Sequence, residues 1–177
     1  KDIKGEGIYL GTYAPVDRDG VSLKKVFNVF AAPEDLPGIK TYDDTVTYLS
    51  SLKNWHGHDG DGYASNEALY TALRNDYYNG GWIIPTRELL RGTRIDDPTG
   101  MHANAIVQPD NLFGYRKKGA LKGTFLTNTW YWSCSVPLGK KECAYTTRFS
   151  DGCQHAWHLK NRDQLPCRPV RLVELPV

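Results

Sequence analysis

Gly81-Trp82-Ile83-Ile84-Pro85-Thr86-Arg87-Glu88-Leu89-Leu90, then Trp130-Tyr131-Trp132-Ser133-Cys134-Ser135, then Arg148-Phe149-Ser150-Asp151-Gly152, and last Arg168-Pro169-Val170-Arg171-Leu172-Val173 follow one another along the chain after residue 80. In the first piece Gly81 stops a helix, Trp82 to Ile84 forms a brief apolar strand, Pro85 breaks it, and Thr86 can cap a helical turn through Leu90. In the second, Trp130 and Trp132 alternate with Tyr131, and strand periodicity sends both tryptophans to one face, expected to be the buried one. Ala144 to Phe149 reads as a strand entering the Ser150-Asp151-Gly152 turn, and Val170 to Leu175 as the closing strand. All four pieces are structural signals, so they point to a scaffold rather than a catalytic site.

Working outward, Gly7 to Tyr13 reads as a strand with Ile8 and Leu10 on one face, and Asp17-Arg18-Asp19-Gly20 as a turn into a second strand, Val26 to Phe30. Thr41, with Asp44 three residues on, predicts a capped helix with Tyr42, Val46, Leu49 and Lys53 on its stripe. Asn54 to Gly62 is a polar break. Ser65 then caps a second helix whose Ala68, Leu69, Ala72 and Leu73 share a face and which ends by Asn79-Gly80-Gly81. No internal repeat, linker or low-complexity tract interrupts the order.

The chain has 177 residues, 40% of them hydrophobic and 12% aromatic, which fits one domain, residues 1–177, with a real core. Its 17 glycines and 10 prolines without period predict many turns and exclude a helical bundle. No apolar run approaches the roughly 20 residues of a membrane span, so no membrane insertion is expected, and Lys1-Asp2-Ile3-Lys4-Gly5 has no signal-peptide core. The start without Met is compatible with a processed form or part of a larger chain. A net charge of +2 hides an asymmetry, because residues 113 to 177 carry 11 Lys and Arg against 4 Asp and Glu. If those cations share a face, their field favours an acidic polysaccharide; nucleic acid is disfavoured for lack of any recognition motif. Cys134, Cys143, Cys153 and Cys167 leave three readings open: two disulfides, reduced thiols, or a zinc set of Cys153, His155, His158 and Cys167.

The order Gly-Trp-x-x-Pro-Thr, Tyr-Trp-Ser-x-Ser, Phe-Ser-Asp-Gly and Val-Arg-Leu-Val resembles the DUF1566 family, the type of domain at the C-terminus of the Legionella collagen-like adhesin, over about Ala64 to Leu175. Ile83-Ile84 stand where the family usually has Arg-Leu, and Cys134 interrupts its paired serines. The resemblance implies an α+β, C-type-lectin-like fold: two helices, small antiparallel sheets bringing the termini close, and long loops carrying the ligand contacts. It further implies a non-enzymatic binding or display module on a cell surface or virion, such as an adhesin or a phage tail receptor-binding protein.

Between the scaffold motifs, Lys140, Lys141, Tyr145, His155, Trp157, His158, Lys160, Asn161 and Arg162, with Asp163 and Gln164, mix aromatic faces, cations and amides. Aromatic faces stack on sugar rings while amides and charges bind hydroxyls and acidic substituents, so a glycan or a protein receptor is the expected partner and Trp157 the expected contact. Asp59 and Asp61, two apart in a glycine-rich loop, are oxygen donors of the kind Ca²⁺ takes, although the spaced series of an EF-hand is missing and no other cofactor is expected. Two other classes stand beside the binding module. One is a structural decoration subunit of a virion or surface assembly, which self-complementary apolar burial, and with it a homo-oligomer, would favour. The other is a cysteine-dependent enzyme, since formylglycine-generating enzymes resemble the C-type-lectin-like fold and use a cysteine pair; it needs His155 or His158 within reach of a thiol.

Overall fold

The N- and C-terminal strands of the chain meet in one sheet. In the computed structural model, which describes residues 3, 5–15, 21–52, 66–76, 78, 80–91, 111–137 and 139–176, β1 (Ile8–Tyr13) and β6 (Val170–Glu174) flank β2 (Phe27–Ala31), all antiparallel. In β2 Phe27, Val29 and Ala31 are buried while Asn28 and Phe30 are half-buried, the period of a sheet with one face on the core. The register moves from Tyr9 to Gly11 on β1 while β2 moves only from Phe30 to Val29, so Leu10 is the extra residue of a bulge and turns into the core. Gly11 follows it at φ +131°, a backbone state closed to most side chains.

A second antiparallel sheet holds β3 (Trp130–Trp132), β4 (Cys143–Arg148) and β5 (Gln154–Leu159), in that order. The helices are α1 (Tyr42–Ser50), α2 (Asn66–Arg74) and two single turns, α3 (Arg87–Leu90) and α4 (Leu112–Tyr115). The architecture is α+β, with few helices and two small antiparallel sheets. Among the described residues no helix is long and apolar enough to cross a membrane.

Local signals set the helix starts. Thr41 accepts a hydrogen bond from the Asp44 N–H at 3.2 Å and Thr86 one from the Leu89 N–H at 3.4 Å, each satisfying a donor that has no partner inside its helix. On α1 the buried stripe is Tyr42, Thr45 and Leu49; Val46 is only half-buried, because the core lies one position round from the expected face, and Lys53 falls outside the described residues. On α2 Leu69, Ala72 and Leu73 are buried as expected, and Tyr70 joins them. That helix ends at Arg74, before Asn79-Gly80-Gly81.

The four sequence motifs lock together. Ile83 and Val170 exchange two main-chain hydrogen bonds of 2.8 and 2.9 Å, so Trp82 to Ile84 is a single bridge to β6 rather than a strand of its own. The Cys134 N–H donates to the Pro85 carbonyl at 2.8 Å, and Ser135 Oγ accepts from the Arg87 N–H at 3.0 Å, capping α3 from the other side. Ser133 Oγ donates to the Tyr145 carbonyl at 2.6 Å, and the Trp132 N–H to the Pro166 carbonyl at 3.2 Å. Phe149 is buried among Phe113, Phe125 and Tyr131, with ring centroids 4.7 to 5.8 Å away.

Candidate binding face of the second sheet

A bulge in β5 builds the candidate site. The pairing runs from Thr146 with His155 to Ala144 with His158, so Ala156 and Trp157 together oppose the single residue Tyr145. A regular strand would turn residues three apart to opposite faces; the extra residue brings His155 and His158 onto one face and leaves Trp157 at the bulge. Trp157 is 65% exposed, the most open large apolar side chain among the described residues.

The face carries an aromatic and imidazole cluster. Trp130, opposite Arg148, and Trp132, opposite Thr146, share it with the two histidines. Ring centroids lie 5.4 Å apart for Trp130 and His155, 5.5 Å for Trp130 and His158, 5.0 Å for the two imidazoles, and 5.1 Å for His155 and Trp157. The Arg148 guanidinium stands 4.9 Å over Trp130 and the Lys140 ammonium 5.4 Å over Trp157. Thr146 Oγ1 and His158 Nδ1 share a hydrogen bond of 2.8 Å, and the Trp157 N–H donates to His155 Nδ1 at 3.3 Å. Burial holds the His158 pKa below the ordinary imidazole value, the neighbouring His155 adds to this, and Asp163 opposes it. Comparison with protein-family models and with curated proteins returned no match.

Of the residues singled out in the sequence, Lys140, His155, Trp157 and His158 come together here. Tyr145 does not: β4 turns it to the opposite face, where the Arg87 guanidinium covers its ring at 4.0 Å and bonds Gln154 Oε1 at 3.1 Å. Lys160 leans 4.9 Å over the buried Tyr42, while Lys141, Asn161 and Arg162 are exposed around the turn ends, Arg162 paired with Asp163 at 3.2 Å. Asp59 and Asp61 lie outside the described residues, as do His56 and His58.

One expectation needs correction. Trp130 and Trp132 do share a face, but only Trp132 is fully buried; Trp130 is half-buried and belongs to the cluster. Tyr131 on the other face is also fully buried, because β3 is covered on both sides. Arg148 and Arg168, two of the late basic residues, are held in ion pairs. Arg168 is fully buried, with Nε 2.8 Å from Asp35 Oδ1 and Nη2 donating to the Thr124 carbonyl at 2.8 Å, and Arg148 pairs with Asp151 at 2.6 Å.

All four cysteines are thiols, Cys134, Cys143 and Cys167 buried and Cys153 exposed. The zinc set is not assembled: Cys167 is in the core, and among the described residues no three His, Cys, Asp or Glu side chains converge as metal ligands. The Cys153 thiol donates to the Gln154 carbonyl at 3.9 Å while the imidazoles bond Thr146 and the Trp157 amide.

Sequence reasoning missed Trp130 as a site residue. The signal that could have found it is its strand parity with Arg148, which pairs an indole with a cation at the sheet end. It also missed the buried Glu88, whose Oε1 accepts from the Tyr70 hydroxyl at 2.9 Å and from that of Tyr13 at 3.4 Å; burial and this carboxylate push both phenols well above their ordinary pKa.

Proposed function

We propose that the protein is a non-enzymatic binding and display module of C-type-lectin-like, DUF1566-like type, presented on a cell surface or virion, which holds a glycan against the Trp130, His155, Trp157 and His158 face. The observation that carries this reading is Trp157, an indole mostly open to solvent at a bulge, linked through the His155 ring to the half-buried Trp130. A flat π-face bordered by N–H donors and cations suits a sugar ring with acidic substituents. Lys140 and Lys160 at the border would attract such a ligand over distances of about a Debye length, roughly 8 Å at physiological salt.

Support for the fold type is the pairing of the first and last strands around β2, the two longer helices, and a separate small sheet that bears the candidate contacts. A glycan array probed with the native chain and with Trp157→Ala is the test. Saturable binding to a glycan that the variant loses is expected. Absence of glycan binding by the native chain would transfer the exposed face to a protein receptor or to an assembly contact.

A further inference from the structure

Resting on the glycan-binding reading of this face, we infer that His158 makes the capture of an acidic glycan proton-linked, tightening it as the pH falls through the imidazole range. The geometry supplies the reason. His158 lies on this face beside the half-buried Trp130, with centroids 5.5 Å from Trp130, 6.4 Å from the buried Trp132 and 5.0 Å from His155. An anionic group seated against the half-buried Trp130 and His155 therefore meets this ring.

The hydrogen bonds decide where the proton goes. Thr146 Oγ1 lies 3.5 Å from the His155 carbonyl and 2.8 Å from His158 Nδ1. The hydroxyl has one proton; when it is spent on the carbonyl, Nδ1–H of His158 donates to the oxygen and Nε2 is left to take up the second proton. His155 is arranged otherwise. Its Nδ1 accepts from the Trp157 N–H, so a proton there would set donor against donor and break the bond that seats the bulge. Of the two rings, His158 can charge without disturbing the platform.

Its charged surroundings come from four directions. From β4, Arg148 is neutralised by Asp151 and covers Trp130. From β5 and the turn after it come His155, Arg162 and Asp163, the first two lowering the affinity of His158 for a proton and the carboxylate raising it. Toward the Trp157 side Lys140 stands over the indole, and toward α1 Lys160 covers Tyr42. From β3 only the indoles face it. The balance disfavours the charged ring in the unliganded protein, and a bound sulfate or carboxylate, as an opposite charge at short range, raises its pKa.

A rise of about one unit on binding corresponds to about tenfold tighter binding at low pH. The experiment uses the full chain and a fluorescent sulfated oligosaccharide, whose own charge is constant over the range, titrated from pH 5 to 8 at fixed ionic strength. The native chain should bind about tenfold more tightly at pH 5 than at pH 8. In His158→Gln the ratio of the two affinities should fall to near one, whatever the absolute affinity. In His155→Gln, which keeps His158 and Thr146, the pH dependence should persist. Binding with a flat native profile, or a profile unchanged in His158→Gln, would overturn the proton linkage and leave the glycan face standing. Loss with Trp157→Ala but no response to either histidine has the same meaning, and no binding at any pH overturns both.

Discussion

Each sheet has three antiparallel strands and one bulge, the first closed by the distant β6 and the second built from consecutive strands, yet they treat the bulge in opposite ways. In β1 the extra residue is Leu10, which goes into the core at 2% exposure; in β5 the bulge leaves Trp157 in solvent at 65%. The neighbourhood explains the difference. β1 lies against the common core through Leu10 and Tyr13, so an extra residue there is absorbed by packing. The second sheet is already covered on both faces at β3 and β4, where Tyr131 and Trp132, on opposite faces, and Thr146 and Thr147, likewise, are all buried. Its edge strand β5 is half-buried throughout apart from the open Trp157. A recognition surface can be built on that edge because no core packing depends on it.

The comparison predicts where substitutions act. The largest effect should come where the loop into β6 is tied to the rest of the molecule. Arg168→Ala strands the Asp35 carboxyl, which burial already lifts above its ordinary pKa against the pull of Arg168 and Tyr131, and the cost should be about 3 to 5 kcal/mol in urea unfolding. A loss near zero would mean that this loop is not held by its buried cation.

Next comes the turn that feeds β5. Gly152 has φ +76°, and a Cβ there would lie 2.9 Å from Phe113 ring carbons, so Gly152→Ala should destabilise by about 1 to 3 kcal/mol through backbone strain and ring displacement. A smaller response appears only in acid. Asp151, held by Arg148 and by the Cys153 N–H, has its pKa lowered to about 2. Because the folded value lies below the unfolded one of about 3.9, the contribution is present above pH 4 and disappears as the pH falls through 2. Asp151→Asn should therefore remove part of the stability change between pH 4 and pH 2 and leave the rest of the profile alone. The smallest effect on stability belongs to Trp157→Ala, within about 0.5 kcal/mol, with the melting transition unchanged while glycan binding is lost. A destabilisation above 2 kcal/mol would make Trp157 a packing residue and erase the contrast between the two bulges.

Much of this plan was legible in the chain. The Thr41 and Thr86 caps, the Asp151-Gly152 turn and the closing strand depend on neighbours within a few positions, and local chemistry fixes them. The strands β1, β2, β4 and β6 appear within a residue or two of their expected bounds. Less legible were the elements whose environment is set by distant residues. Trp82 to Ile84 has strand composition but makes only one bridge, because β6 is paired on its other side to β2 and Ile83 meets it at Val170 alone. Val46 was expected where Thr45 is buried, since helical spacing gives a stripe but not which neighbour will cover it.

The candidate site divides in the same way. Sequence composition alone marked Lys140, His155, Trp157 and His158 as residues with binding chemistry, because aromatic, imidazole and cationic groups are concentrated there whatever the fold. That His155 and His158 share a face, that Tyr145 does not join them, and that Trp130 does were decisions of the tertiary structure. One inserted residue in β5 resets side-chain parity, and parity is a property of pairing between strands, which no single strand carries in its own sequence. The charge asymmetry of the chain was equally a sequence fact, but its meaning was decided by burial. Arg168 is drawn to Asp35, 133 positions away, and the low-dielectric core turns a nominal surface cation into a structural tie.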